Sequence, residues 1–215
     1  MAKLIIFDFD GTLADTSRLI VRTNQEVQRR MGYPLTDEAG ILATVGLPLH
    51  ECILTMYPAL PREEIPVWVS TYRSVFDSLK GQIVPQLFPG VKETMSALFG
   101  MGCRLTVASS RGSQSLADFL RDMGIAPFIS YVLSADDVKL AKPHPEPVLK
   151  TLRALSAEAA DALVVGDMPV DILMGKGAGV RTCGVSYGNS NREALIQAGA
   201  DYVIDDFRDL IPLLA

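Results

Sequence analysis

The sequence predicts an α/β fold: a doubly wound, Rossmann-like parallel sheet core with a small inserted helical bundle. Three observations predict it. Short apolar runs recur at Leu4-Ile5-Ile6-Phe7, at 104–109 and at 162–166, rich in branched residues and ending in polar residues or glycine. From Val91 onward such runs alternate with helix-period stretches, which implies right-handed crossovers and a parallel sheet covered on both faces. Between Asp15 and Lys80 no strand pattern occurs, and helical patterns follow one another as in a bundle.

The first apolar run stops at two acids, Asp8 and Asp10, and Gly11 ends it as a turn. Thr16 or Ser17 then caps a helix whose face is Leu19, Ile20, Thr23, Val27 and Met31, stopped by Gly32. Thr36-Asp37-Glu38 opens a second helix that ends near Gly46, and Pro48 opens a third carrying Ile53, Leu54 and Tyr57. Pro61 precedes the fourth, with Ile65, Trp68, Tyr72, Val75, Phe76 and Leu79 at helical spacing. Trp68 and its aromatic neighbours read as bundle core. Then come a helix at 91–99, a strand at 104–109, a helix at 113–123, a short strand at 131–134 and a helix at 146–155. The strand at 162–166, a helix at 169–174, a strand at 181–185, a helix at 192–198 and a strand at 202–204 complete the alternation. Gly175, Gly177 and Gly179 follow no strand in the order a dinucleotide fingerprint requires.

Composition narrows the function classes. The 215 residues are 48% hydrophobic and 21% charged, an ordinary globular balance that suits one large domain or a core with an insert. A formal net charge of −5 provides no basic stripe for a nucleic-acid backbone, so any anionic ligand needs positive potential supplied locally. No apolar run reaches membrane-spanning length, and acids interrupt the N-terminal run too early for a signal peptide. Cys52, Cys103 and Cys183 are odd in number and widely spaced, which fits buried small hydrophobes better than disulfides or metal ligands. The expected location is the cytoplasm, without nucleic-acid or membrane partners.

In folds of this class ligands bind beyond the carboxyl ends of the strands, near a topological switch point. Asp8, Ser109 and Asp167 each stand at such an end, and Lys142 follows the 131–134 strand by a short loop. Carboxylates as close as Asp8 and Asp10 need a cation or a shared proton, and Mg2+, with its preference for oxygen ligands and substrate phosphate, meets that need. The Ser109 hydroxyl and the N–H groups of the next turn can hold phosphoryl oxygens. Pro143 and Pro145 fix the backbone beside Lys142, aiming a compact cation at a phosphoryl group and a carboxylate together, with His144 a loop residue between them. Asp171, one turn beyond Asp167, is placed to bind metal water, to support Lys142, or to complement the helix dipole.

Asp8-Phe9-Asp10-Gly11-Thr12-Leu13-Ala14-Asp15, the 105–110 strand end, Lys142-Pro143-His144-Pro145 and Gly166-Asp167-Met168-Pro169-Val170-Asp171 resemble, in order, the four signatures of the haloacid-dehalogenase-like hydrolases. Tyr72-Arg73, Phe88-Pro89-Gly90-Val91 and Gly184-Val185-Ser186-Tyr187-Gly188 resemble the phosphoglycolate-phosphatase branch of that superfamily. The resemblance implies a phosphatase in which Asp8 is the nucleophile and Asp10 the general acid and base. It implies Mg2+ on Asp8, the Asp10 carbonyl and Asp167, with Asp171 beside them, and phosphate held by Ser109, Ser110, Lys142, Gly11 and Thr12. It divides the chain into a core at 1–15 and 81–215 and a helical cap at 16–80, in which Gly46, Leu47 and Pro48 read the leaving group. The expected substrate is a small phosphorylated metabolite, phosphoglycolate-like, and the expected state a monomer or weak homodimer. Pyrophosphate, nucleotides and sugar phosphates are alternative substrates. A β-phosphoglucomutase-type mutase is less favoured, because Leu47, Pro48 and Leu49 stand where that branch has a basic residue. A phospho-acceptor switch is least favoured, because it needs neither the helical insert nor a second acid.

Overall fold

The computed structural model describes residues 3–214. Its main sheet contains β1 (Leu4–Phe7), β4 (Arg104–Ala108), β5 (Ile129–Leu133), β6 (Ala162–Gly166), β7 (Arg181–Val185) and β8 (Tyr202–Ile204). These strands lie side by side in the order β5-β4-β1-β6-β7-β8, and every pairing is parallel. Strand β1 is central: Phe7 stands opposite Val107 on one side and Val165 on the other. The chain builds the sheet outward from β1 through β4 to β5, then returns to β1's other side for β6, β7 and β8. The switch point therefore lies at the carboxyl end of β1, where Asp8 stands.

Period-two alternation divides each strand between two cores. Ile5 and Phe7 face one way, with Leu105, Val107, Leu163 and Val165, against Met95 and Leu98 of α5 (Val91–Gly100), Leu116 and Phe119 of α6 (Ser113–Asp122), and Leu210 of α10 (Leu210–Leu214). Leu4, Ile6 and Val164 face the other way, against Val148 and Leu152 of α7 (Glu146–Ala154) and Met174 of α8 (Pro169–Gly177). The whole of β1 is buried, which explains why it reads as a continuous apolar run. Helix α8 runs past its predicted end at Met174, through Gly175. A Cβ on Gly175 would stand 2.5 Å from Thr182 Cγ2, so the missing side chain permits close helix–sheet packing. Helix α9 (Arg192–Gln197) covers the β7 and β8 end of the sheet.

Helices α1 (Ser17–Met31), α2 (Glu38–Leu42), α3 (Leu49–Met56) and α4 (Ile65–Leu79) form the insert. The chain enters it through β2 (Ala14–Asp15) and leaves through β3 (Gln86–Leu87), which pair antiparallel. Two-residue strands carry no sequence period, so the sequence shows neither. Helix α1 ends as predicted at Gly32, in the left-handed conformation at φ 74°. Helix α2 is shorter than predicted, stopping at Leu42, and residues 43–46 turn instead. The insert has its own core of Val27, Ile53, Leu60, Trp68 and Val75. The Trp68 ring lies 5.3 Å from Tyr33 and 5.1 Å from Tyr57. Among the described residues no helix is long and apolar enough to cross a membrane.

The Trp68 indole N–H is buried without a hydrogen-bond partner among the described residues. Trp68→Ala opens a large cavity and is expected to cost about 3–5 kcal/mol in urea unfolding followed by circular dichroism. Trp68→Phe also removes the orphaned donor, which offsets about 1–3 kcal/mol of the lost packing. It should therefore be far milder than the alanine variant.

Candidate active site

Loops that follow β1, β4, β5, β6 and β7 converge at the carboxyl edge of the sheet. Asp8 follows β1 and is fixed there by its N–H, which donates to the Val165 carbonyl at 2.9 Å. Its Oδ1 lies 2.5 Å from Lys142 Nζ, and its Oδ2 is buried with no hydrogen-bond partner among the described residues. Lys142 also reaches Asp171 Oδ1 at 2.7 Å, so one ammonium group bridges two carboxylates. The other Asp171 oxygen accepts the Met168 N–H at 3.1 Å, closing the first turn of α8. Asp167 follows β6, wholly buried; its Oδ1 accepts from the Thr12 hydroxyl at 3.0 Å. Asp8, Asp167 and Asp171 each offer an oxygen within 4.8 Å of the others.

The turn after β1 must pass very close to Asp167. At Gly11 φ is +87°, and a Cβ there would stand 2.1 Å from Asp167 Oδ2. Ser109 follows β4, its N–H donating to the Leu133 carbonyl at 2.9 Å and its Oγ accepting the Arg111 N–H at 3.2 Å. Ser110 is turned elsewhere: its hydroxyl donates to the Gly46 carbonyl of the insert at 2.5 Å. A cleft of about 650 Å3 lies between the insert and the sheet edge, and Asp10, Ser109, Ser110, Lys142, Gly46, Leu47 and Pro48 all line it.

Asp10 belongs to a separate network. Thr16, at the cap position of α1, makes no capping bond with its side chain; its hydroxyl donates to Asp10 Oδ1 at 2.6 Å. The Arg111 guanidinium grips both oxygens of Asp10, with Nε 3.1 Å from Oδ2 and Nη2 on Oδ1. Arg111 is itself held over the rings of Phe119, Phe76 and Phe9, at 4.9, 5.1 and 5.9 Å from their centroids. Phe76 comes from α4, so Arg111 ties Asp10 to both the sheet core and the insert.

The family model described as haloacid dehalogenase-like hydrolase matches residues 5–185. The chain belongs to that family. It is 37% identical to the "Probable phosphatase IndB" of Dickeya dadantii, over 98% of this chain and 93% of that protein. It is 30% identical to a phosphoglycolate phosphatase of Yersinia pseudotuberculosis, covering 98% and 92%, and 30% identical to the pyrophosphatase PpaX of Anoxybacillus flavithermus, covering 98% and 95%. A crystal structure described as a haloacid dehalogenase-like hydrolase of Bacteroides fragilis superposes with a TM-score of 0.93 at 27% identity, covering 98% of this chain and all of that one. This haloacid dehalogenase-like hydrolase is a phosphatase.

Two residues of the phosphatase site escape the sequence reading. Arg111 is one arginine in a Ser-Arg-Gly-Ser loop, and nothing in its spacing distinguishes it from a solvated one. Asn189 sits in the turn after β7, where Gly188-Asn189-Ser190 signals only a loop. Its N–H and side-chain amide both donate to Asp167 Oδ2, at 2.7 and 3.0 Å. Gly188 lets this loop approach, since a Cβ there would stand 2.3 Å from Asp167 Cβ.

Charge balance tests whether these residues fit a metal. Three buried carboxylates face one buried ammonium group, and an orphaned carboxylate oxygen lies among them. Burial pushes the Asp8 carboxyl well above the usual carboxylate range, against the pull of Lys142 and with help from Asp171, Asp167 and Asp10. Burial and then Asp171 push Asp167 up to about 7. Burial lowers Lys142, but Asp171 and Asp8 more than reverse it, so the ammonium form is held. A hard divalent cation supplies the missing positive charge, and the all-oxygen donor set fits one.

Asp167 holds its proton more tightly folded than unfolded, about 7 against 3.8. Its stabilising contribution is full below the unfolded value and is lost as pH rises through the folded one. In excess chelator, the melting temperature is expected to fall from about pH 4 to about pH 7 and to level off above that. Mg2+ at about a hundred times its Kd should add about 2.7 kcal/mol at the upper end and flatten that fall. A second prediction concerns Asn189. Outer-sphere partners are typically worth about 10–100-fold in metal affinity, so Asn189→Ala should weaken Mg2+ binding by roughly that factor in calorimetric titration.

Proposed function

We propose that this phosphatase is Mg2+-dependent and hydrolyses a small-molecule phosphomonoester through an aspartyl-phosphate on Asp8. The observation that carries the reading is the orphaned Asp8 Oδ2, buried beside a lysine-held Oδ1 at the switch point of the sheet. Asp8 is the nucleophile: one carboxylate oxygen attacks phosphorus while the bond to the leaving oxygen breaks. Lys142, positioned by Asp171, is a fixed cation for the equatorial phosphoryl oxygens, and the Ser109 hydroxyl and the following N–H groups donate to them as well. Gly11 and Thr12, in the turn that follows Asp8, would complete the phosphate pocket. The Asp8 and Asp167 side chains and the Asp10 carbonyl would hold the cation. When bound, it supplies charge that screens phosphate from the attacking carboxylate.

Asp10 protonates the leaving oxygen, then takes a proton from water as that water attacks the acyl-phosphate and returns Asp8 to its free carboxylate. The Arg111 and Thr16 contacts hold Asp10 beside the cleft. The insert at 16–80 acts as a cap over a core at 1–15 and 81–215, excluding water and reading the leaving group through Gly46, Leu47 and Pro48. The Ser110–Gly46 hydrogen bond and the packing of Gly46 against Val170 support that docking. The substrate class is a phosphorylated metabolite; phosphoglycolate, pyrophosphate, nucleotides and sugar phosphates differ in the leaving group alone.

Intact-mass measurement after an acid quench tests the chemistry. Asp8→Asn should abolish turnover, because an amide cannot form the acyl-phosphate. Asp10→Asn should slow turnover by about 10²–10⁴-fold and accumulate phosphorylated Asp8 when the leaving group is activated. Phosphate on Asp10, or near-normal turnover of an unactivated ester by Asp10→Asn, would reverse the two roles.

A further inference from the structure

Helix α4 and the residue that caps it present one continuous face to the cleft: Val69, Tyr72, Arg73, Phe76, Asp77 and Lys80 all line it. Their spacing of three and four residues is that of a single helix face. Three of the six carry charge, and two neutralise each other, with Lys80 Nζ 2.9 Å from Asp77. Arg73 is exposed and has no hydrogen bond or ion pair among the described residues. The other cleft cations differ from it. Lys142 is spent on Asp8 and Asp171, and Arg111 on Asp10. Only Lys139, on the opposite wall, also lines the cleft with an exposed and unpaired ammonium group among the described residues. The acid that Arg73 acts on through space is Asp136. It already accepts the Ser113 N–H and hydroxyl, both at 2.8 Å.

The cleft therefore carries unmatched positive charge away from the phosphoryl pocket, on an element of the insert rather than of the sheet. A neutral leaving group would leave that charge unanswered. A leaving group bearing its own anion would pair with it, and a guanidinium fork suits carboxylate and phosphoryl oxygens alike.

We propose that Arg73 is a specificity-determining residue that binds an anionic group on the leaving group, so that the preferred substrate is a phosphomonoester or phosphoanhydride carrying a second negative centre. This rests on the phosphatase reading above and narrows its substrate class. Lys139 adds long-range attraction from the facing wall.

The experiment compares kcat/KM for phosphoglycolate, pyrophosphate, glycerol 2-phosphate and p-nitrophenyl phosphate, with Mg2+ present, in the wild type, Arg73→Gln, Arg73→Lys and Asp136→Asn. Removing a charge-assisted hydrogen bond from the bound state weakens binding by roughly ten- to hundred-fold. In Arg73→Gln the ratio of phosphoglycolate or pyrophosphate to p-nitrophenyl phosphate should fall by that factor, mostly through KM. Arg73→Lys should recover part of it. Which of the two anionic substrates suffers more tells a carboxylate from a second phosphoryl group. A ratio that stays within two-fold overturns the proposal, as does a wild type that prefers glycerol 2-phosphate to both anionic substrates. An equal fall of the ratio in Asp136→Asn would mean that Arg73 pins the insert to the core rather than binding substrate. A wild type inactive on all four, p-nitrophenyl phosphate included, would instead sink the phosphatase chemistry on which the proposal stands.

Discussion

Three carboxylates and one ammonium group share a volume from which water is nearly excluded. That concentration of charge constrains everything around it. A buried carboxylate is tolerated only when its oxygens find donors or cations, and the loops at this edge exist in the shapes that supply them. Met168 N–H closes on Asp171; Asn189 and Thr12 close on Asp167; Lys142 spans Asp8 and Asp171. One oxygen is left over, Asp8 Oδ2, and it lies where the fold class places ligands. The glycines follow from the same crowding. Gly11 and Gly188 approach Asp167 so closely that any side chain would displace it.

The fold's part is to bring these groups to one place without flexible supports. Asp8, Ser109 and Asp167 each follow directly on a buried strand, and β4, β1 and β6 are neighbours in the sheet. Their backbone hydrogen bonds to adjacent strands set where the side chains begin. The insert is attached differently, through two strands of two residues each. Its helices keep a separate core around Trp68, and it meets the site through Gly46, Phe76 and the rest of the cleft-facing side of α4. Such an arrangement allows the two bodies to be assembled by different rules: the sheet edge by hydrogen-bond satisfaction, the insert by aromatic packing.

How much of this is legible in the sequence depends on the length of the signal. Strands β1, β4 and β6 are short runs of four or five residues, largely apolar, and the residues that follow them are readable as site residues because the runs stop so abruptly. Lys142 is readable because the two prolines that follow it, Pro143 and Pro145, restrict the chain. The ribbon of β2 and β3 is not, since two residues establish no period, and the short α10 carries too little pattern to read. The helix after Thr36 reads too long because Gly46 looks like its stop, whereas the chain leaves the helix at Leu42. Thr16 looks like a cap and serves Asp10 instead. For Asp171 spacing alone leaves three roles open, and its bonds to Lys142 and to the Met168 N–H account for both oxygens. Arg111 and Asn189 are invisible for a common reason. Each matters through one distant partner, 101 and 22 residues away in the chain, and single residues in turns carry no pattern that names a partner.

The separation of Asp8 from Asp10 is where those distant partners have most effect. Two residues apart in the chain, the two carboxylates would share one environment if the strand continued. Instead Asp8 is drawn into the Lys142, Asp167 and Asp171 cluster, while Asp10 is turned to Arg111 and Thr16 at the cleft. Each acid has its own cation, and the cations differ in kind. Lys142 is a point charge that bridges, with room for a further ligand on Asp8. Arg111 is a planar fork that occupies both oxygens of Asp10 and is backed by three phenyl rings. Unlike surroundings of this kind are what the proposed division between nucleophile and proton carrier requires. In this chain the surroundings of the second acid include a ring from the insert, so the position of α4 and the state of Asp10 are physically linked through Arg111.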